Sequence, residues 1–289
     1  MAAPGLRLGS VSARVAPAAR WAASGVVQFG GWMHFSGITL RHCMTDVILR
    51  LRYRSEVFRH MSDIVVGAGA YVVGGGMVFV VAALALFVGG TVGVQAFNGL
   101  QSIGAQNFTG LAGAYANTRE ITPIIAAIAL SSQVGSSFTA EIGAMRVAEE
   151  IDALDVMSVP SIPYLVSTRV VAMVVALVPL YLVALFASFF ATRFVTTTLL
   201  GLSTGVYDYY FHLYLPPIDI VYSVIKVVVF AVMVVLIHCY YGYNATGGPA
   251  GVGVAVGRAI RSTTVWIILV NLLLSYIFWG GVSTVSLTG

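Results

Sequence analysis

Charge is what this sequence has least of: 9% of its 289 residues are Asp, Glu, Lys or Arg, against roughly a quarter in soluble domains. So few charges cannot keep a globule of this size in water, which excludes a soluble enzyme or binding module. Much of the surface must face lipid. Lysine is rarer still. Lys226 is the only one, and Ser-Val-Ile precedes it rather than a glycine-rich loop, so the chain carries no nucleotide-binding loop of its own. Cysteine occurs twice, at Cys43 and Cys239, with no metal or redox spacing. No HExxH motif is present, and no Pro/Ser-rich linker or charge block divides the chain after residue 62, so one domain is expected.

What charge there is lies unevenly. Eight of the fifteen basic residues precede residue 60. The clustering fits a membrane-surface segment better than a nucleic-acid groove, so no nucleic-acid partner is expected. Residues 1–20 read as a disordered cytoplasmic tail. Glycines at 25, 30, 31 and 37 break the apolar stretch after Arg20, which argues against a signal peptide. Residues 21–62 read as an interfacial amphipathic helical segment, with Arg41, Arg50, Arg52, Arg54 and Arg59 interleaved with Val47, Ile48, Leu51 and Phe58.

The uncharged runs beyond residue 63 predict an all-α polytopic membrane protein with five transmembrane helices at about 64–91, 120–143, 166–193, 220–242 and 261–286. The polar stretch Val92–Thr118 reads as a connection outside the membrane. With the N-terminus inside, the cytoplasmic side holds twelve of the fifteen basic residues, and only Arg119, Arg193 and Lys226 lie toward the outside. That bias predicts a cytoplasmic N-terminus and an extracytoplasmic C-terminus. Lys226 would then snorkel outward or pair with Asp219. The Tyr- and Phe-dense Gly205–Asp219 would anchor at the interface.

The chemistry-bearing stretch is Arg119–Arg169. Its membrane part carries small residues at four-residue spacing, Gly135, Thr139 and Gly143 on one ridge and Ser132, Ser136, Ala140 and Ala144 on the next, a pattern that serves either a subunit seam or ordinary packing within the chain. Glu141 lies near Arg146, and His238 has no partner adjacent in sequence. Beyond Gly143, Glu149, Glu150, Asp152 and Asp155 alternate with Ile151, Ala153, Leu154 and Val156 before Pro160 and Pro163. This predicts a short acidic amphipathic helix between two spans, with exposed apolar residues suited to docking a soluble partner.

The run RE-x-x-P, then VGS, then AEIGAMRVAEEIDALDVM with PxxYL and Arg after it, resembles the signature of the MlaE/YrbE permeases, the membrane subunits of Mce-type ABC lipid transporters. Gly242–Ile260 (GYNATGGPAGVGVAVGRAI) is similar to the family's glycine-rich turn before the last span. The likeness runs from about Asp63 onward, so residues 63–289 read as the permease domain. Ser131-Ser132-Gln133 stands where Ala-Gly-Arg is more usual, a departure that suggests the actinobacterial YrbEB-like branch.

The resemblance implies a non-enzymatic transport subunit in a bacterial inner membrane, with a second YrbE-type permease chain, two cytoplasmic ABC ATPases, extracytoplasmic Mce-domain proteins and membrane lipid as partners. It implies no cofactor or metal in this chain, ATP and Mg²⁺ being bound by the partner ATPase. Glu149, Glu150, Ile151, Asp152, Ala153 and Leu154 would form the coupling helix. Gly67, Gly74, Gly75, Gly135 and Gly143 are candidates for close packing or the lipid path. The competing reading is an ion-coupled secondary transporter of a hydrophobic substrate, which wants ionisable groups at mid-membrane; the sequence offers no evident set.

Overall fold

The computed structural model describes residues 30–49, 53–65 and 76–280, so the tail at 1–20 and Gly67, Gly74 and Gly75 lie outside the described residues. Among the described residues the chain is helical with no strand. Helix α1 covers 30–49 and α2 covers Arg54–Val65. Five helices are long and apolar enough to cross a membrane: α3 Gly76–Gln101, α4 Gln106–Val147, α6 Ile162–Leu199, α8 Pro217–Tyr243 and α9 Gly248–Trp279. Short helices join them, α5 Glu150–Val156 between α4 and α6 and α7 Thr204–Leu213 between α6 and α8. The chain is a multi-pass membrane protein. One end of the bundle carries α5 and the α8–α9 turn, and the other carries α7 and the α3–α4 turn.

The expected outer connection at Val92–Thr118 is mostly helix. Helix α3 continues to Gln101 and α4 begins at Gln106, with only a short turn between. The reason is legible in α3 itself, whose buried residues Met77, Val81, Ala85, Gly89, Gly93 and Phe97 recur at every fourth position. That ridge runs past Gln95 and lies against α6. A Cβ on Gly89 would sit 2.4 Å from the Ser188 carbonyl oxygen. At this approach the Thr192 hydroxyl donates to the Gly89 carbonyl at 2.7 Å and accepts from Asn117 at 2.8 Å, tying α3, α6 and α4 together.

Helix α4 crosses α8 just as closely. A Cβ on Gly135 would meet the His238 ring at 2.6 Å, and one on Gly242 would meet the Thr139 carbonyl oxygen at 2.9 Å. His238 is buried and satisfied, with Ser131 Oγ 3.0 Å from Nε2 and Thr139 Oγ1 2.8 Å from Nδ1. One turn on, Gly143 faces Val252 of α9, where a Cβ would lie 3.0 Å from that side chain. Helix α1 docks on α6 and α8: the Cys43 thiol donates to the Ser167 carbonyl, Ser167 Oγ donates to the Thr39 carbonyl, and Phe35 packs on Tyr240 and Tyr243.

Toward the α7 end, four charges meet in one cluster, Lys226 and Asp219 buried, Arg119 half-buried and Glu120 partly open to the surface. Lys226 is fully buried, which overturns the snorkelling expectation. Its ammonium donates to the Arg119 carbonyl at 2.6 Å, to Ser275 Oγ at 2.6 Å and to Glu120 Oε1 at 3.3 Å. Glu120 also accepts from Asn271 at 2.6 Å and from Ser275. Asp219 pairs with Arg119 rather than with Lys226, at 2.7 Å, and accepts the Trp279 indole N–H at 2.9 Å. Arg119 lies over the Tyr115 ring at 3.8 Å. Two positive and two negative groups thus cancel within one cluster that joins α4, α8 and α9.

Two expectations follow. Gly242→Ala pushes a Cβ against backbone that cannot yield and lowers stability by about 1–3 kcal/mol, whereas Gly253→Ala, with nothing within 4 Å of its Cβ, stays within about 1 kcal/mol of wild type; thermal unfolding in detergent reads both. Lys226→Met alone leaves the partly exposed Glu120 without its ammonium and costs about 1–3 kcal/mol, while Lys226→Met with Glu120→Gln recovers part of that loss. Additive losses in the double variant would mean the two groups are not coupled.

Candidate functional site

Helix α5 joins α4 to α6, and its ends are fixed by backbone geometry that ordinary residues adopt at a cost of about 1–2 kcal/mol each. Glu149 at φ 60° turns the chain out of α4, and Ser158 at φ 59° turns it out of α5. The second turn closes α5 with paired bonds, Ser158 N–H to the Asp155 carbonyl and Val159 N–H to the Leu154 carbonyl, both at 3.0 Å. Asp155 Oδ1 then accepts the Ser161 N–H at 3.2 Å as the chain enters α6.

The sequence was right that α5 has an apolar face, but that face is not free. Ile151 is fully buried in the chain's own core, and Leu154 packs against the same cluster. The apolar residues left in the open are Val156, already among the apolar positions expected of this helix, and Met157, which the sequence did not single out; they are 86% and 65% exposed. Glu149, Glu150, Asp152 and Ala153 are exposed beside them. Asp152 accepts from Arg146 at 2.8 Å, so the last turn of α4 is bridged to α5 across the turn. Glu141 does not pair with Arg146. Arg169 of α6 reaches it at 2.9 Å, and Ser137 donates to its other oxygen at 2.8 Å.

Beneath this surface α2 packs on α6. His60 lies edge-on to Phe138 at 6.2 Å, and Arg169 stands over the same ring at 5.3 Å. Burial, helped by the charge of Arg169, holds the His60 imidazole down at about 4, so it is neutral near pH 7.

The two small-residue ridges of α4 have different surroundings. Gly135, Thr139 and Gly143 face α8 and α9 of the same chain. On the neighbouring ridge Ser132 and Ala144 are exposed and Ser136 and Ala140 half-buried, with Gln133, Ser137 and Glu141 open beside them. Ser132 and Ser136 turn their hydroxyls back onto the Ile128 and Ser132 carbonyls. Near the α7 end, a shallow cavity of about 390 Å³ is lined by Tyr115, Arg119, Glu120, Ser275 and Trp279. Arg119 and Glu120 had bounded an uncharged run in the sequence. The signal that they belong inside a span was the helical pattern continuing on both sides of them.

The family model for the permease MlaE matches residues 66–277. A probable ABC transporter permease protein of Rickettsia bellii is 32% identical over 200 residues, covering 69% of this chain and 77% of that protein. The chloroplastic protein TRIGALACTOSYLDIACYLGLYCEROL 1 of Arabidopsis thaliana is 32% identical over 195 residues, 68% of this chain and 56% of its own. A probable ABC transporter permease protein of Synechocystis is 31% identical over 170 residues, 59% of this chain and 65% of that protein. The matched span takes in α3, α4, α5, α6, α7, α8 and nearly all of α9, with the bridged α4–α5 turn at its middle. This chain belongs to the MlaE permease family.

Proposed function

We propose that the chain is the membrane-spanning subunit of an ATP-driven lipid transporter of the Mce type, passing lipid between a bacterial inner membrane and extracytoplasmic Mce-domain proteins. A second YrbE-type permease chain and two cytoplasmic ABC ATPases complete the assembly. ATP and Mg²⁺ bind to the ATPases, and this subunit carries no chemistry of its own. The observation that carries the reading is α5 in a chain of this family: a short, rigidly closed helix between two spans, presenting carboxylates beside exposed Val156 and Met157. A soluble motor needs such a handle. A relative named for a glycolipid, trigalactosyldiacylglycerol, supports lipid as the cargo.

In this reading Glu149, Glu150, Asp152 and Ala153 belong to the coupling surface, Val156 and Met157 supply its apolar contact, and Ile151 and Leu154 anchor it to the permease core. The open ridge of α4 and the exposed flank of α9 receive the second permease chain, and lipid travels at that seam. Gly67, Gly74 and Gly75, outside the described residues, remain candidates for close packing or the lipid path on the sequence alone. Gly135 and Gly143 serve packing within the chain. The α5 end is cytoplasmic, which puts Arg146, Arg258 and Arg261 inside by the positive-inside bias and the C-terminus outside.

The charge cluster supplies the carboxylates that an ion-coupled transporter needs, a set the sequence did not reveal. Their saturation argues against that use. Glu120 is taken up by Lys226, Ser275 and Asn271, and Asp219 by Arg119 and Trp279. They act as a strut.

Met157→Asp should abolish copurification of the ATPase while the permease still accumulates in the membrane. Ile151→Asp should instead lower the amount of folded permease, because it places a carboxylate in the core. Retention of both the ATPase and lipid transport by Val156→Asp/Met157→Asp would rule out the coupling assignment. A reporter fused after Gly289 should read as extracytoplasmic, and a cysteine placed at Asp155 should react only with a membrane-permeant reagent; the reverse pattern would invert the orientation.

A further inference from the structure

A second cavity, of about 490 Å³, opens where α1, the last turns of α8 and the first half of α9 meet. It lies at the α5 end, away from the α7-end charge cluster. Four aromatic residues line it: Trp32 of α1 and Trp266 of α9 lie nearly parallel with ring centroids 6.1 Å apart, and Tyr240 and Tyr241 of α8 stand beside them, with polar Asn244 and Thr246 at the α8–α9 turn. Two α9 residues add polarity, Arg258 and Ser262, four positions apart and so on the same helix face as Trp266.

Arg258 is exposed and makes no ion pair or hydrogen bond among the described residues. No acidic residue follows Asp219 in the sequence, so α9 brings no carboxylate to it. A guanidinium at the rim of an aromatic cavity, with no anion of its own, invites one from outside.

The depth of the cavity identifies that anion. From Ser262 to Trp279 helix α9 carries no charge, a length of about 27 Å at 1.5 Å per residue against roughly 30 Å for the hydrocarbon core. Arg258 therefore stands at the headgroup level of the leaflet on the α5 side, and Trp266 lies about 12 Å deeper. A ligand reaching both has a phosphate at one end and hydrocarbon at the other. The volume suits a headgroup with the upper part of one acyl chain.

We propose that this cavity holds a resident anionic phospholipid, its phosphate on Arg258 and an acyl chain along Trp266 and Trp32, fastening α1 to the bundle. The lipid is a structural ligand of the permease rather than its cargo. The proposal rests on the membrane placement of α9 and not on what the transporter carries.

The two tryptophans supply the measurement. Full-length protein in phosphatidylcholine nanodiscs is given phosphatidylglycerol or phosphatidylcholine with brominated acyl chains, and quenching of tryptophan fluorescence is followed. Brominated phosphatidylglycerol should quench at a mole fraction about tenfold lower than brominated phosphatidylcholine, the contribution of one charge-assisted hydrogen bond. Arg258→Ala should remove the difference, and Arg258→Lys should keep most of it. Arg261→Ala removes the same charge one turn away, outside the cavity, and should leave the difference intact. Equal loss in Arg258→Ala and Arg261→Ala would reduce the effect to general surface charge and overturn the proposal. So would displacement of the lipid by soluble glycerol phosphate, which would mark a phosphate site, or a preference confined to monomeric fractions, which would mark a seat for a second copy of the chain. Lipid transport enters none of these readouts, so failure here leaves the proposed function standing, and failure of transport leaves this site standing.

Discussion

A polar group inside hydrocarbon has no water to turn to, and this constraint shapes the bundle more than any single apolar contact. At each close crossing a glycine admits the neighbouring backbone and a hydroxyl or imidazole occupies the space beside it. Gly89 admits Ser188, and Thr192 serves the Gly89 carbonyl and Asn117 together. Gly135 admits His238, which Ser131 and Thr139 then satisfy from both ring nitrogens. Helices packing in lipid gain little from the hydrophobic effect, because the tails outside are as apolar as the side chains inside. Close backbone approach and hydrogen bonds must supply the specificity.

The charge cluster is the same rule at higher stakes. Burying one ion costs several kcal/mol in practice, and Coulomb attraction offsets that cost only where remaining donors and acceptors are also filled. Here the Lys226 ammonium donates to three oxygens, and both Glu120 oxygens accept from neighbours. The α5 end is built differently. Arg146 and Asp152 meet in an exposed pair, where a salt bridge contributes at most about 1 kcal/mol, and Glu141 faces solvent while Arg169 is buried. One end of α4 is tied firmly and the other lightly, which suits a helix whose light end meets a partner.

The five spans were legible because lipid as a solvent writes itself into composition. The connection misread at Val92–Thr118 shows the limit. Gln95 and Asn98 are exposed on α3, and their polarity outweighed a buried ridge that continues to Phe97. The periodicity was there; a window average hid it. Lys226 was misread for another reason. Its partners are Arg119, Glu120 and Ser275, and no neighbour in the chain announces them. The acidic helix sits between the first two cases. Alternation in Glu149–Val156 told that an apolar face exists, and it could not tell that the chain's own core covers Ile151.

The last helix turns the opening constraint into a statement about partners. Its buried residues Ala255, Ala259, Thr263, Ile267 and Asn271 stand at every fourth position, a single ridge laid against α8 and α4. The next position of that series is Ser275, which with Asn271 joins the charge cluster. The ridge therefore begins as small-residue packing and ends as hydrogen bonding, and together these hold a helix that has only one side in contact. The far side of α9, including Leu272 and Tyr276, is exposed. Helix α3 has the same form, with its ridge on α6 and Phe79 and Phe87 exposed. Apolar side chains on those flanks are equally at ease against lipid or against another helix. Composition is therefore silent on which they meet, and the polar side chains beside them decide. Helix α3 shows only Thr91 along its exposed middle, with its hydroxyl turned back onto the Phe87 carbonyl. The open face of α4 shows Gln133 and Ser137, with Glu141 held by Arg169 of α6 at its α5 end. Hydrocarbon is a poor neighbour for an amide, so the open face of α4 is where this bundle calls for protein.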